Sequence, residues 1–407
     1  MSTNNFFEKK RGWSIIKDEI ISHYLTPYIY KLLTTKKPLT LIDCFAGKGV
    51  FEDGSIGSPI IIANKIKEIL EKNKKTDIKG IFIEKKYYDD LKENLKTYNN
   101  CEIRKGTFED HIIDVINRRR GSNIFLYIDP YGIKSLDFVR LKKICKSNFN
   151  TLEMLMNFNS FGFLREASRL KKYQNEFYLE KDLESYEVDE KNSIENMIRI
   201  AGGEYWIELL DDYNRNIISM HEAERKFVEK YVENFHKLFK HVINIPIKTK
   251  EKNIPKYRLI FGTNHDDGLT LMADNMNQKW KKIIENERQG QLSIFDVAQG
   301  SIFSEAISIY SFPDFTEEKD YNPREDIINI LYESQKYVKF KTLIVKMIKK
   351  YGIAYSTKEY ISIIKQLKKE GIIDIYRNPP YTKSGRPARW YDINRDIRVR
   401  LRCFIKQ

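Results

Sequence analysis

Apolar segments end in acidic or glycine-rich loops at three places in the first third of the sequence. The first segment ends in Asp43, and the loop after it contains Ala46, Gly47 and Gly49. Glycine lets backbone amides come close to a ligand because no Cβ is in the way. The second segment ends in Glu84, whose carboxylate can accept hydrogen bonds from two adjacent ribose hydroxyls. These residue types predict a site for a nucleoside-containing cofactor.

The third loop has the residues for chemistry on an amine: Asp129, Pro130, Tyr131 and Gly132. Methylation of an exocyclic base amine requires hydrogen bonds that accept its protons and expose the nitrogen lone pair. The Asp129 carboxylate and the Pro130 carbonyl are suitable acceptors, and Tyr131 offers a stacking face for an extruded base. The loop departs from the commoner D/N-P-P-Y pattern at its last two positions, which leaves the substrate atom open. The alternative is an acid that caps the following helix.

Taken together, the three loops predict that the cofactor is S-adenosylmethionine, and two other kinds of cofactor site do not match the sequence. No G-x-G-x-x-G helix start follows the first strand, which argues against a dinucleotide pyrophosphate on a helix N-terminus. The triplet Gly47-Lys48-Gly49 lacks the G-K-[ST] ending of a phosphate-binding P-loop. Asp43 is expected to orient the glycine loop or the methionine amino group. Phe108, after the third strand, stacks on the adenine or belongs to the core.

Composition sets limits on the kind of protein. Apolar residues make up 41% of the 407 residues, as in ordinary globular proteins, and no apolar run reaches the roughly 20 residues of a membrane span. The four cysteines are scattered without a C-x-x-C pair, which favours a reducing, cytoplasmic location with no disulfide or zinc framework. Neither they nor the six histidines form a ligand pattern, so no metal site is expected.

Helical and strand patterns alternate from Trp13 to about Asn159, which predicts a mostly parallel sheet. A charged helical stretch follows, and then two strands that suggest a closing antiparallel hairpin. The expected fold class is α/β, a class I SAM-methyltransferase-like (Rossmann-like) sheet with a helical insertion and a C-terminal winged-helix domain. The predicted segments are an N-terminal helical segment (1–34), a Rossmann-like cofactor-binding core (35–163), a helical insertion (164–240), a hairpin and helix that close the core (241–288), a linker (289–320) and the winged-helix module (321–407).

Positive charge is concentrated at the C-terminal end. Residues 321–407 carry 20 Lys and Arg against 8 Asp and Glu, which is +12 of the total +14. Three helical patterns and two strand patterns, 372–376 and 389–393, outline a winged helix, and the asymmetry points to a polyanion such as DNA or RNA, with DNA favoured. A solvated Lys-rich surface is the alternative. The predicted nucleic-acid contacts lie on the third helix and the wing: Lys358, Lys365, Lys368, Lys369, Lys383, Arg386 and Arg389.

Two short motifs have more than one interpretation. Gln291-Leu292-Ser293-Ile294-Phe295 is similar to the pentapeptide with which bacterial DNA-handling proteins dock on the replication sliding clamp. The alternative is a set of apolar side chains that fix the linker to the body. Asn378-Pro379-Pro380-Tyr381 matches a base-methylation motif in letters, but it lies in a basic hairpin without strand–helix context, so we interpret it as a wing turn.

These motifs, in this order, resemble the three-Cys-motif partner family (TcmP) over most of the chain. The likeness includes Trp13 and Lys17 near the start of the sequence. It continues in the segments of residues 43–49, 57–59, 128–132, 157–158 and 256–263. The resemblance implies a Rossmann-type methyltransferase with a winged-helix tail and a radical-SAM-like partner bearing three cysteines. Asp129-Pro130-Tyr131-Gly132 is also similar to the corresponding loop of tRNA guanine-N2 methyltransferases. Two functions therefore stay open: a methyltransferase acting on a nucleobase amine of DNA or RNA, and an inactive nucleic-acid-binding adaptor for that partner.

Overall fold

The computed structural model describes residues 12–133, 135–175, 177, 193–248, 255–289, 322–381, 385 and 396–402. The chain divides into two compact units. The N-terminal unit contains the described residues up to His265 together with 283–289, and the C-terminal unit contains 266–282 and the described residues from 322 onward. Each unit is described by itself below.

A seven-stranded sheet forms the centre of the N-terminal unit. Its strands are β1 (Leu39–Asp43), β2 (Ile78–Glu84), β3 (Cys101–Lys105), β4 (Asn123–Ile128), β5 (Thr151–Phe158), β6 (His241–Lys248) and β7 (Pro255–Thr263). The order is β3-β2-β1-β4-β5-β7-β6, in which the first five strands are parallel and β7 is antiparallel to both of its neighbours. This order and the closing hairpin are those of class I methyltransferases, so the predicted fold class is confirmed.

Helices cover the sheet and connect its strands. They are α1 (Gly12–Leu33), α2 (Ser58–Lys72), α3 (Tyr88–Leu95), α4 (Phe108–Asn117), α5 (Phe138–Cys145), α6 (Ser160–Leu170), α7 (Ile194–Ala201), α8 (Tyr205–Asn214) and α9 (Met220–His236). No helix within the described ranges is both long and apolar enough to cross a membrane.

The central strands are buried on both faces, which is why they read as unbroken apolar runs. Every residue of β1, β4 and β5 is buried. On one side of β5, rings from β5, α6, α8 and α9 form an aromatic cluster, in which Phe158 and Tyr231 stack at 4.2 Å and Phe163 and Phe227 at 4.5 Å. Gly202, with φ 73°, ends α7 in the left-handed conformation that glycine favours. This packing fixes the position of the carboxyl end of β5.

The C-terminal unit contains α10 (Asp266–Gln289, of which residues 266–282 belong here), α11 (Pro323–Ser334), β8 (Val338–Lys339), α12 (Phe340–Tyr351), α13 (Thr357–Lys369), β9 (Ile373–Asn378) and β10 (Asp396–Leu401). The three strands form an antiparallel sheet in the order β8-β10-β9. From α11 onward the succession helix–strand–helix–helix–strand–strand is that of a winged helix, as the sequence predicts.

One detail of this unit differs from expectation, and one predicted strand lies outside the described residues. The strand predicted at 389–393 lies outside the described residues, and the strand that pairs with β9 is β10, in which Ile397 and Val399 alternate with polar residues and are buried. The helix predicted over the large sheet belongs in its first 17 residues, Asp266–Lys282, to the C-terminal unit. There Asn277 donates to the Ile353 carbonyl at 2.7 Å, and Asp274 accepts a hydrogen bond from the Thr357 amide at 2.6 Å.

Candidate active site

One cavity of about 470 Å³ opens at the carboxyl edge of the parallel strands in the N-terminal unit. Loops that follow β1, β2, β3, β4 and β5 all reach it, as expected where parallel strands end at one edge. Of the predicted cofactor and catalytic residues, eight line the cavity: Ala46, Gly47, Gly49, Glu84, Phe108, Asp129, Pro130 and Tyr131. The fold therefore brings together residues separated by up to 85 positions in sequence, from Ala46 to Tyr131.

The glycine loop is held in a conformation that requires glycine. Gly47 and Gly49 have φ of 63° and 84°, in the region that side chains disfavour. A Cβ on Gly49 would lie 3.1 Å from the Leu91 side chain, which is tighter than ordinary contact. The carbonyl of Gly49 accepts a hydrogen bond from the Gly57 amide at 2.8 Å, which closes the loop before α2.

Glu84 has a different set of partners from the one expected. Its carboxylate accepts from the backbone amides of Gly47 at 2.8 Å, Lys86 at 2.7 Å and Tyr87 at 2.9 Å. A carboxylate offers roughly four acceptor positions, so three of them already fix the loops after β1 and β2. About one position remains for a ribose hydroxyl. Glu84 thus shapes the site as well as lining it.

Asp43 lies fully buried at the end of β1 and does not line the cavity. Its carboxylate accepts from the Ser58 hydroxyl at 2.7 Å and from the Phe45 amide at 3.2 Å. Burial raises the pKa of Asp43 to about 7, although these hydrogen bonds work in the opposite direction and the nearby Asp129 adds to the rise. Asp43 therefore fastens the glycine loop to the start of α2, the first of the two roles predicted for it.

Phe108 is almost completely buried and belongs to the core. Thr107 caps α4 through a reciprocal pair of hydrogen bonds with Asp110, which fixes the position of Phe108 in the first turn. The ring of Phe45 packs against that of Phe108 at 5.5 Å and is less buried. Phe45 therefore has more ring surface available to a ligand in the cavity than Phe108 has.

Asp129 has three side-chain hydrogen-bond donors around its carboxylate. Its Oδ2 accepts from the Lys17 ammonium at 2.6 Å and from the Tyr127 hydroxyl at 3.0 Å. Its Oδ1 accepts from the Asn157 amide nitrogen at 2.8 Å. Lys17 is buried, with 7% of its side chain exposed, and Asp129 retains 24%. The carboxylate is thus held rigidly in a fixed direction with part of its surface on the cavity.

The rest of the third loop presents an aromatic ring to solvent. Tyr131 is 60% exposed at the mouth of the cavity, and Gly132 beyond it has φ 99°. Tyr257, on β7, lines the same cavity, and its ring lies 5.8 Å from the Lys17 ammonium. Two tyrosines therefore flank the space beside Asp129, where a planar group can stack.

The cavity residues that the sequence did not indicate as parts of the site include Lys17, Asn157, Arg165 and Tyr257. The position of Asn157, near the carboxyl end of a central strand, gave a usable signal because such ends meet at the ligand edge. Asn157 is buried, and its Oδ1 has no hydrogen-bond partner among the described residues and almost no surface on the cavity. Its amide nitrogen donates to Asp129, so its part in the site is to orient that carboxylate.

The predicted nucleic-acid contacts lie on the C-terminal unit. Lys358, Lys365 and Lys369 are on the exposed side of α13, opposite its buried residues Tyr360 and Ile364. Lys368 is less exposed and lies 3.5 Å from Asp374 in an ion pair. The wing residues Lys383, Arg386 and Arg389 lie outside the described residues, as does the motif 291–295.

Comparison with known proteins gives structural similarities alone. No family model matches the chain, and no curated protein sequence matches it. Trm1 from Pyrococcus horikoshii, solved with S-adenosyl-L-methionine, is 11% identical, with 83% of this chain and 90% of that chain covered and a TM-score of 0.36.

Two other solved structures show similarity at a comparably low level. A spermidine synthase in complex with the transition-state analogue AdoDATO is 9% identical, with 74% of each chain covered and a TM-score of 0.31. A putative methyltransferase, yhhF from Escherichia coli, is 15% identical, with a TM-score of 0.19. The match covers 29% of this chain and 57% of the length of yhhF. The fold assignment depends on the strand order of this protein, and these similarities add nothing on its substrate.

Proposed function

We propose that this protein binds S-adenosylmethionine and methylates an exocyclic amine of a nucleobase in DNA or RNA, with DNA favoured. The observation that carries the proposal is the single cavity shared by the glycine loop, Glu84 and the Asp129-Pro130-Tyr131-Gly132 loop. The predicted cofactor and substrate residues lie at the same sheet edge, where doubly wound folds bind their ligands.

The cavity residues fit the cofactor. Gly47 and Gly49 keep the loop after β1 free of side chains, and Glu84 holds that loop through the Gly47 amide. The remaining acceptor position of Glu84 suits a ribose hydroxyl, and the partly exposed Phe45 suits an adenine ring. When bound, S-adenosylmethionine supplies an electrophilic methyl group on a sulfonium centre. No metal is needed for that chemistry.

On the substrate side, the chain holds two acceptors ready for the protons of an amine. Lys17, Tyr127 and Asn157 use about three of the four acceptor positions of Asp129, so the carboxylate direction is set before the substrate arrives. The fourth position, on the partly exposed Asp129 carboxylate, and the Pro130 carbonyl can accept from one amino group. Such fixed acceptors are effective because they do not reorganise during the reaction.

Tyr131 and Tyr257 suit the base itself. A base must leave the helical stack before its amine reaches a cavity, and an exposed ring offers it a replacement stacking surface. Tyr131 is exposed at the cavity mouth, and Tyr257 lines the wall. Under the proposal, these rings hold the plane of the base while Asp129 and the Pro130 carbonyl orient its amine.

A second function, the inactive adaptor, is favoured by one specific observation. The ion pair between Lys17 and Asp129 resembles a structural lock, because it neutralises the carboxylate that the first proposal assigns to the substrate. The proposed partner of such an adaptor is the three-Cys-motif, radical-SAM-like protein, for which the family resemblance is the support. Contact with a sliding clamp through 291–295 likewise stays a prediction.

Mass spectrometry of nucleosides decides between the two functions. DNA and RNA from cells that express wild-type protein or Asp129→Asn are digested separately and compared for methylated bases. Asp211→Asn is the matched control, because Asp211 also pairs with a lysine and a tyrosine, Lys171 and Tyr173, but lies outside the cavity lining. The enzyme proposal expects one methylated base to disappear in Asp129→Asn alone. Identical profiles in all strains, with cofactor binding intact, would leave the adaptor.

A further inference from the structure

We infer that the outer face of the small C-terminal sheet binds single-stranded DNA by stacking unpaired bases on Tyr337 and Tyr376. This surface contains no residue of α13 and none of the predicted wing residues Lys383, Arg386 and Arg389. The inference does not depend on methyl transfer. We call this surface the tyrosine face. Its described members are Tyr337, Lys339, Asp374, Tyr376, Asp396, Arg398, Arg400 and Arg402.

Strand register places these side chains in one layer. Arg398 of β10 is paired with Lys339 of β8 on one side and with Tyr376 of β9 on the other. Arg400, two residues further along β10, is paired with Asp374 and lies on the same face because side chains alternate along a strand. The opposite face of β10 carries Ile397 and Val399, which are buried.

The aromatic part of the face is exposed and arranged for stacking. Tyr337 is 39% exposed and Tyr376 is 47% exposed, although both are large rings on a folded unit. Their centroids lie 6.0 Å apart in an edge-to-face arrangement, and the Arg400 guanidinium lies 4.7 Å from the Tyr337 ring centre. A planar cation on an aromatic ring extends the stacking surface for a base.

The charge of the face suits a phosphate backbone. Its described members include four basic residues and two acids, Asp374 and Asp396. Both acids are engaged by arginines: Asp396 by Arg398 at 2.9 Å, and Asp374 by Arg402 at 2.9 Å and Arg400 at 3.5 Å. The face therefore combines excess positive charge with exposed rings, the combination that recognises single strands rather than duplex.

The same ion pairs favour DNA over RNA as the occupant. A protein distinguishes RNA by groups that bind its 2′-hydroxyl, which donates as well as accepts. Among the described residues of the face, the two carboxylates that can accept from that hydroxyl are already bound by arginines. Stacking and charge remain, and neither requires a 2′-hydroxyl.

Fluorescence anisotropy of full-length protein tests the inference with labelled oligothymidine, the same sequence as RNA, and duplex DNA. Because each ring stacks a base, Tyr337→Ala and Tyr376→Ala should each weaken binding of single-stranded DNA about tenfold, and the Phe variants, which keep the ring, should bind as wild type does. Tyr332→Ala is the matched control, since Tyr332 is 67% exposed on α11 and outside the face.

Several results would overturn it. Unchanged single-strand affinity in both Ala variants would show that the rings do not stack bases. An equal loss for duplex and single strand would indicate a general change of the unit. If the RNA binds more tightly than the DNA and its binding depends on the tyrosines, the occupant of the face is RNA. If none of the three oligonucleotides binds, the face does not bind nucleic acid and a protein partner is the alternative.

Discussion

Replacing the charges of the Lys17–Asp129 pair separates what Asp129 contributes to the fold from what it contributes to chemistry. The three variants are Lys17→Met, Asp129→Asn and the double variant. Asp129→Asn leaves an ammonium group with 7% of its side chain exposed and no opposite charge at 2.6 Å. Lys17→Met leaves the carboxylate with the Tyr127 and Asn157 donors and with 24% of its side chain in solvent.

The two single variants should therefore differ in stability. Removing one partner of a buried ion pair costs about 3–5 kcal/mol, and the partial exposure of Asp129 reduces this. We expect a loss of about 2–3 kcal/mol for Asp129→Asn and about 1–2 kcal/mol for Lys17→Met. The double variant contains no unpaired charge and should lose less than the sum, with a coupling of about 1–3 kcal/mol.

Hydrogen exchange measured by mass spectrometry is the assay, because peptides from β4 and β5 report opening of the N-terminal unit alone. Under the proposal, the double variant regains most of the stability but none of the methyl transfer, since a neutral amide at position 129 is a poorer proton acceptor. Additive losses would refute the pairing on which this reasoning depends. A double variant with wild-type modification activity would remove Asp129 from the mechanism.

Three further outcomes follow from buried charge, backbone conformation and surface charge. Burial raises the pKa of the Glu153 carboxyl group from 4.5 to about 7, so the stability that this group contributes is lost as the pH rises from about 4.5 to 7. Measured by denaturant titration, Glu153→Gln should therefore be about 3 kcal/mol more stable than wild type at pH 8 and about equally stable at pH 4. An unchanged pH profile would contradict this. Gly49 has φ 84° and lies near Leu91, so Gly49→Ala should reduce the free energy of unfolding by about 1–3 kcal/mol. Gly57 lies in extended backbone, so Gly57→Ala should reduce it by less, and equal losses would show that the loop does not require glycine at position 49. Changing Lys358, Lys365 and Lys369 to Ala should reduce the log–log salt slope of duplex binding by about 2–3, and an unchanged slope would remove α13 as the contact surface.

The sheet edge was predictable because parallel strands place all their carboxyl ends together. Gly47, Glu84 and Asp129 each follow an apolar run, and that position alone brings them to one cavity. Their hydrogen-bond partners were not predictable from pattern. Lys17 lies 112 residues before Asp129 on a helix whose apolar spacing says nothing about which polar side chain faces the site.

Other differences have equally local causes. The periodicity of α10 shows an apolar face, but the pattern is the same whether that face packs on the large sheet or on the C-terminal unit. The alternation of Ile397 and Val399 in β10 was present in the sequence, whereas the strand predicted at 389–393 lies outside the described residues. Glu84 resembled a free ligand group because backbone amides, its actual partners, leave no mark in a sequence.

Calorimetric titration of the full-length protein with S-adenosylmethionine tests the central claim most directly. The account predicts binding at a single site, weakened by Glu84→Ala because that variant loses both a ribose acceptor and the hydrogen bond that holds Gly47. The matched control Glu68→Ala removes an exposed acid that pairs with Lys72 on α2, and it should bind as wild type does. Folded wild-type protein that binds neither S-adenosylmethionine nor its demethylated product would contradict the account.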